Sequence, residues 1–136
     1  MILRLALFVG MLSLALVSCG SSQVEPSVSF DDEGCSSSDV RSWPSGSPDI
    51  EMSNNTETGA AVVMGTYADG FGHDDLVAYG SDVSTRPEFI DALEIFQVAA
   101  GSTTSFVFEH GPGTFFLVCM PDSDTMIVLD DVTIEG

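Results

Sequence analysis

The feature that most constrains the fold is the apolar run Thr114–Met120, which lies near the end of a chain of 136 residues. Gly-Pro-Gly precedes it at 111–113 and Pro-Asp-Ser-Asp follows it at 121–124, and both sequences are typical of turns. The run is rich in phenylalanine, leucine and valine, which favours a strand that is buried on both faces. A second apolar run, Met126–Ile134, follows the turn. The two runs therefore predict neighbouring strands that close a β-sandwich.

Four more segments have the alternating or continuous apolar character of short strands. They are Ser27–Phe30, Asp49–Ser53, Ala60–Tyr67 and Ser102–Glu109. The turn residues Asn54–Glu57 separate the second from the third, so we expect these two strands to form a hairpin. Ser36–Pro48 is rich in serine, proline and glycine and is predicted to be a loop, with Trp43 packed on a sheet edge.

A short helix is predicted over His73–Tyr79, because acidic residues occupy its first turn and a glycine ends it. Leu76, Val77 and Tyr79 are expected to lie on one side of this helix. Arg86–Val98 fits both a helix and a strand, and we favour an extended crossover that ends in a strand. About seven or eight short strands with one small helix predict an all-β protein, an antiparallel Greek-key β-sandwich.

The N-terminal segment is predicted to be removed from the mature protein. One positive charge in Met1–Arg4 is followed by the apolar segment Leu5–Val17, and Leu16-Val17-Ser18-Cys19 resembles the lipobox of bacterial lipoproteins. The apolar segment of about 14 residues is shorter than the roughly 20 that a membrane-spanning helix needs. The resemblance implies cleavage before Cys19 and a diacylglycerol thioether on its sulfur.

This interpretation divides the chain into a lipoprotein signal peptide (1–18), a lipidated cysteine with a flexible tether (19–27) and one domain (28–136). The protein is then expected to be exported and held by its lipid on the outer side of the cytoplasmic membrane or in the outer membrane. Of the three cysteines, Cys35 and Cys119 remain after lipidation of Cys19. An even pair in an oxidising compartment predicts a disulfide bond between them.

The charge balance is strongly acidic. The chain has 21 aspartate and glutamate residues against 3 lysine and arginine residues, a formal net charge of −18. Nucleic acid is excluded as a partner because its phosphates need cations, and so is electrostatic adhesion to anionic lipid. The acids either solvate the surface or bind divalent cations, for which Asp31, Asp32, Glu33 and the 121–124 turn are the candidates. Neither acidic run has the spacing of an EF-hand loop.

The order of segments from Val98 onward resembles the second half of the cupredoxin fold: an apolar strand, Ala-Ala-Gly, a threonine-rich strand, Gly-Pro-Gly-Thr-Phe, Leu-Val-Cys and a closing strand. With Val28-Ser29-Phe30 and Cys35 included, the chain is similar to the copper-free, cupredoxin-like sandwiches of exported bacterial lipoproteins. The resemblance implies a cupredoxin-like or immunoglobulin-like sandwich. It implies no biochemical role.

A type 1 copper centre needs a cysteine thiolate, two imidazoles and usually a weak axial methionine. No histidine lies between Cys119 and Met126, where the cupredoxin family places one. His110 precedes the strand that carries Cys119, which puts it about 20 Å from the sulfur, and His73 begins the predicted helix. We therefore expect no copper, no other cofactor, no catalytic residue and no enzyme activity.

Two functions remain. In the first, the protein is a lipid-anchored binding or scaffolding module that presents its loops to an envelope protein or small ligand. The loops concerned are chiefly Ser36–Pro48 and His73–Arg86. The alternative is an envelope lipoprotein that binds calcium-like divalent cations or handles metals through its acidic loops.

Overall fold

The computed structural model describes residues 25–38, 43–80 and 85–136. The predicted signal peptide, Cys19 and most of the predicted tether lie outside the described residues. The elements, in chain order, are β1 (Ser27–Asp31), β2 (Gly34–Ser37), β3 (Asp49–Asn54), β4 (Ala60–Tyr67), α1 (His73–Tyr79), β5 (Ile90–Val98), β6 (Thr103–Val107), β7 (Gly113–Met120), β8 (Ile127–Val128) and β9 (Val132–Ile134). Within these segments no helix combines the length and the hydropathy of a membrane span.

Two sheets pack face to face. The first has the strand order β2-β1-β3-β6, and the second has the order β5-β4-β7-β8, with β9 paired to the beginning of β7. β1 and β3 are parallel, whereas the other strand pairs are antiparallel. This is the predicted Greek-key β-sandwich with one short helix, except that the pair of β1 with β3 is parallel rather than antiparallel.

The core lies between the two sheets and follows the alternation of the strands. Val28 and Phe30 of β1 and Ile50 and Met52 of β3 face the second sheet. The core residues of the second sheet are Val62 and Met64 of β4 and Phe115, Leu117 and Cys119 of β7. Trp43 is buried at the side of this core, where its backbone N–H donates to the Thr133 carbonyl oxygen. Trp43 is thus a packing residue, as predicted.

The predicted hairpin of β3 with β4 is wrong. β3 lies between β1 and β6 in the first sheet, whereas β4 lies between β5 and β7 in the second. The residues after Asn54 therefore carry the chain from one sheet to the other. Alternation along a strand shows which residues are buried, but it does not show which sheet the strand joins, because that choice depends on partners far away in sequence.

The predicted loop Ser36–Pro48 contains the end of a strand that the sequence analysis missed. β2 consists of Gly-Cys-Ser-Ser, which lacks apolar alternation, and it is held by antiparallel pairing with β1. Gly34 makes the tight turn between them, with a φ of 138°, a conformation that glycine adopts without steric cost. Val77 is 51% exposed and does not share the buried side of the helix with Leu76.

The predicted closing strand Met126–Ile134 is divided into β8 and β9, so the described residues form nine strands. Both short strands pair with β7: Ile127 and Val128 with its end, and β9 with its beginning. The division falls at residues 129–131, and Asp130 and Asp131 take no part in the pairing with β7. Asp131 instead accepts a hydrogen bond from the hydroxyl of Tyr67.

Candidate functional site

Cys119 lies at the end of β7 and is fully buried. It is bonded to Cys35 of β2, with a Cα–Cα distance of 6.4 Å, and the bond joins residues 84 positions apart. This is the pairing that the sequence predicts. The bond connects the edge strand of the first sheet to an inner strand of the second, so it fastens the two layers of the sandwich together.

The residues around Cys119 do not fit type 1 copper. Its sulfur is in a disulfide and so is not a thiolate, which the metal requires. The two histidines of the chain lie elsewhere: His73 Nδ1 is 3.5 Å from Asp131 Oδ1, and His110 Nε2 is 2.9 Å from Glu94 Oε1. Each imidazole therefore faces a carboxylate, and neither is beside Cys119.

The predicted cation-binding acids are arranged as turn residues. Asp31 Oδ1 accepts the backbone N–H of Glu33 at 2.9 Å, and Asp122 Oδ1 accepts the N–H of Asp124 at 2.8 Å. The hydrogen bond from the Asp124 N–H, followed by that from the Thr125 hydroxyl, lowers the pKa of Asp122. Within the described ranges, no group of three or more histidine, cysteine, aspartate or glutamate residues is placed to hold a metal ion.

The outer faces of the two sheets differ in chemistry. Serine and acidic residues occupy the outer face of the first sheet, as in Ser29, Asp49 and Glu51. The strand register places only uncharged residues on the outer face of the second sheet: Ile90, Ala92, Ile95 and Gln97 of β5, Ala61, Val63, Gly65 and Tyr67 of β4, and Phe116, Val118 and Met120 of β7. An uncharged face on a protein with a net charge of −18 needs a covering layer or a partner.

One half of this outer face is covered by the chain itself. Leu76 of α1 is fully buried and forms a cluster with Phe116 and Val118. Next to it, the rings of Phe71 and Phe89 stack at 4.9 Å. The helix and the residues that precede β5 therefore act as a lid over the end of the sheet that is remote from Cys119.

The other half is open and forms an apolar groove of about 210 Å³. Its floor consists of Val63 and Val118, and its walls include Ile95, Met120 and Met126. Ile95 is 61% exposed although it lies within a nine-residue strand. Beyond Met120 the groove continues into a wider cleft of about 510 Å³, which is lined by Gly59–Ala61, Gln97–Ala99, Met120, Asp122 and Ser123.

A polar cluster anchors the lid. The Tyr67 hydroxyl donates to Asp131 Oδ1 at 2.6 Å, and His73 at the start of α1 approaches the same oxygen. Burial, and then the bond to the Asp131 carboxylate, raise the pKa of Tyr67 far above its usual range. The sequence analysis did not single out this cluster, because 64 residues separate Tyr67 from Asp131 and no local pattern connects them.

No protein-family model and no curated protein matches the chain. Among solved structures, the chain is similar to Na-dithionite reduced auracyanin from the photosynthetic bacterium Roseiflexus castenholzii, with a TM-score of 0.48 and 14% sequence identity. The similarity covers 81% of this chain and 95% of that chain. Sequence identity this low says nothing of function, and the fold described above is established by its own strand order.

Proposed function

We propose that this protein is a lipid-anchored, extracytoplasmic binding module without catalytic chemistry. The observation that carries the proposal is the apolar groove, an open surface on an acidic molecule, with a lining that is apolar except for Thr85 and Arg86. Concave sites with a mostly apolar lining and a few polar groups are the usual places where proteins bind ligands. The lipobox-like sequence that ends at Cys19 supports the anchoring part of the proposal.

The chemistry of the described residues agrees with a binding role. A cysteine nucleophile needs a free thiol and a neighbouring base, whereas Cys119 is bonded to Cys35. The loop His73–Arg86, one of the two predicted to present a binding surface, borders the groove through Arg86. In the other predicted loop, Trp43 belongs to the core.

Divalent-cation binding is the second candidate. It is supported by the carboxylate of Asp122, which lines the wider cleft. A calcium ion needs six to eight oxygen ligands, so a site here would have to recruit further groups from its surroundings. A melting temperature that rises with Ca²⁺ and falls again with EDTA would support this candidate over the first.

The anchoring part is tested by the substitution Cys19→Ala. We expect the variant to lose membrane attachment, since the lipid is the apolar anchor of the mature protein and stable attachment depends on its acyl chains. Membranes are washed at high salt and the protein is followed by immunoblotting. A variant that stays with the washed membranes would disprove the lipoprotein assignment.

The binding part is tested by photo-crosslinking in the native envelope. A photoreactive amino acid replaces Ile95 in the groove or, as a matched control, Val107, which is 48% exposed on the other sheet. We expect a defined cross-linked species from position 95 and none from position 107. The same species from both positions, or none from position 95, would contradict the assignment of the groove as the binding surface.

A further inference from the structure

We propose that the apolar groove receives an apolar side chain of a basic protein segment, whose lysine and arginine residues lie against the acidic residues around the groove. This inference rests on the proposed binding function and adds the chemistry of the partner. It follows from the shape of the groove, the charges at its edges and the charge of the whole molecule.

The groove suits a single large side chain. Val63 and Val118 provide a flat, aliphatic floor on neighbouring strands, since these two residues are directly paired. Met120 and Met126 form one wall, and the unbranched thioether side chain adapts to the shape of its contact. Ile95 on the opposite wall is exposed, so a bound side chain would remove its apolar surface from water. An aliphatic or aromatic side chain is the complementary group.

Acidic residues lie at the two ends of this apolar centre. Asp122 and Asp124 follow Met120 in the turn after β7, and Asp122 lines the wider cleft that adjoins the groove. At the other end lies Asp91 of β5, beside the groove residue Arg86. The side chain of Asp91 is 74% exposed. Arg86 is the one lysine or arginine among the described residues, and its guanidinium faces Asp91 at 3.5 Å. An apolar centre with a polar rim is the usual anatomy of a protein interface, and here the charged groups of the rim are Asp122 at one end and the ion pair of Arg86 with Asp91 at the other.

The net charge discriminates among the possible occupants. A second copy of this chain would bring another charge of −18 to the groove, and the two copies would repel each other. Anionic lipid head groups and fatty-acid carboxylates are disfavoured for the same reason. A basic segment is attracted instead, and complementary charge accelerates its association.

The experiment uses full-length protein purified from the envelope in a neutral detergent and three fluorescently labelled peptides of equal length. One peptide alternates leucine with lysine, one replaces its lysines by glutamate, and one replaces its leucines by glycine. Affinities are measured by fluorescence anisotropy at 50 and 500 mM NaCl. We expect the leucine-lysine peptide to bind most tightly, with a loss of roughly tenfold at the higher salt because the charge attraction is screened.

Two pairs of variants locate the site. Ile95→Glu and Val107→Glu each add one negative charge to an exposed apolar position, but only Ile95 lines the groove. Likewise Asp91→Asn and Glu51→Gln each remove one charge, and Glu51 lies on the outer face of the other sheet. We expect Ile95→Glu and Asp91→Asn to lower the affinity for the leucine-lysine peptide at least about fivefold more than their control substitutions do. Melting curves confirm that each variant is folded.

Equal effects of Ile95→Glu and Val107→Glu would overturn the proposal, as would tighter binding of the leucine-glutamate peptide. A cross-link from position 95 to a partner without basic residues would also overturn it, while the proposed binding function would stand. If position 95 gave no cross-link in the envelope, the binding function would fail, whatever the peptides did.

Discussion

Asn54 is a buried polar residue whose side chain has all of its hydrogen-bonding groups satisfied. Its Nδ2 donates to the carbonyl oxygens of Thr58 and Val98, at 2.8 and 3.0 Å. Its Oδ1 accepts from the backbone N–H and the hydroxyl of Thr56. Because Asn54 ends β3 and Val98 ends β5, this one side chain ties the first sheet to the second where the chain crosses between them.

We predict that Asn54→Asp destabilises the protein by about 3 kcal/mol at neutral pH, since it places a carboxylate against two carbonyl oxygens. Burial raises the pKa of such a carboxyl group in the folded state above its unfolded value of about 3.9. The folded state of this variant therefore loses stability as the pH rises from 4 to 7. Urea unfolding at both pH values measures the difference.

The matched control for this prediction is Asn55→Asp. Asn55 is the next residue and is exposed, so we expect its substitution to change the unfolding free energy by less than about 0.5 kcal/mol. An Asn54→Asp protein as stable as this control would show that the buried hydrogen bonds do not hold the crossover.

Tyr67 at the end of β4 donates a hydrogen bond to Asp131, which lies between β8 and β9. We predict that Tyr67→Phe lowers the unfolding free energy by about 1 to 2 kcal/mol at pH 7, because it removes a hydrogen bond to a charged group. The pKa of Tyr67 is raised in the folded protein. The contribution of the Tyr67 hydroxyl to stability is therefore complete below about pH 10, the pKa of an unfolded tyrosine, and is lost as the pH rises above that value.

Chemical unfolding at pH 7 and pH 10.5 measures this contribution in the wild type and in Tyr67→Phe. The difference in unfolding free energy between the two proteins should be smaller at pH 10.5 than at pH 7. A difference in unfolding free energy that is unchanged or larger at pH 10.5 would contradict the assigned role of the hydroxyl.

At the level of elements, β7 is central because both of its faces are buried and it pairs with three other strands, β4, β8 and β9. The disulfide adds a covalent connection to β2 in the other sheet. Gly65 of β4 shows how closely the second sheet packs, since a Cβ there would overlap the Asp91 carbonyl oxygen and the ring of Phe116. Glycine is required where a backbone approaches this closely.

We predict that the double substitution Cys35→Ala and Cys119→Ala lowers the unfolding free energy by about 2 to 5 kcal/mol, as expected for a bond that closes a long loop. Mass spectrometry of the non-reduced, alkylated wild type should detect no modification of Cys35 or Cys119. Alkylation of Cys119 in the native protein, or a blue absorption band after addition of Cu²⁺, would contradict the assignment of this cysteine to the disulfide.

Local patterns in the sequence were sufficient to predict the strands whose side chains alternate, the helix His73–Tyr79, and a strand near the end of the chain that is buried on both faces, as residues 115–119 are. They failed where a distant partner decides the structure. β2 has no apolar pattern and forms against β1. β3 and β4 are close in sequence but belong to different sheets.

The candidate site was predictable only in part. The pair of cysteines followed from their number and from the expected compartment. The apolar groove did not, because the sequence shows that Ile95 is apolar but not that the helix leaves it exposed. The groove exists because α1 covers Phe116 and leaves Ile95 in solvent, a result of where the helix packs.

At the scale of the whole molecule, the charge is mostly uncompensated. Among the described residues Arg86 forms an ion pair with Asp91, and His73 and His110 each lie beside a carboxylate, those of Asp131 and Glu94. Against a net charge of −18, these three contacts leave most of the negative charge uncompensated. Such self-repulsion keeps a protein soluble but destabilises its compact state.

We therefore predict that salt raises the melting temperature at neutral pH. The screening length shrinks from about 30 Å at 0.01 M to about 10 Å at 0.1 M, so most of the gain should appear below 0.3 M NaCl. The control is the same titration near pH 4.1, the isoelectric point of the sequence, where the net repulsion is absent and the salt effect should nearly vanish. A melting temperature at pH 7 that is unchanged or lowered by NaCl would mean that the carboxylates do not destabilise the fold, and the acidic surface would then need a different explanation.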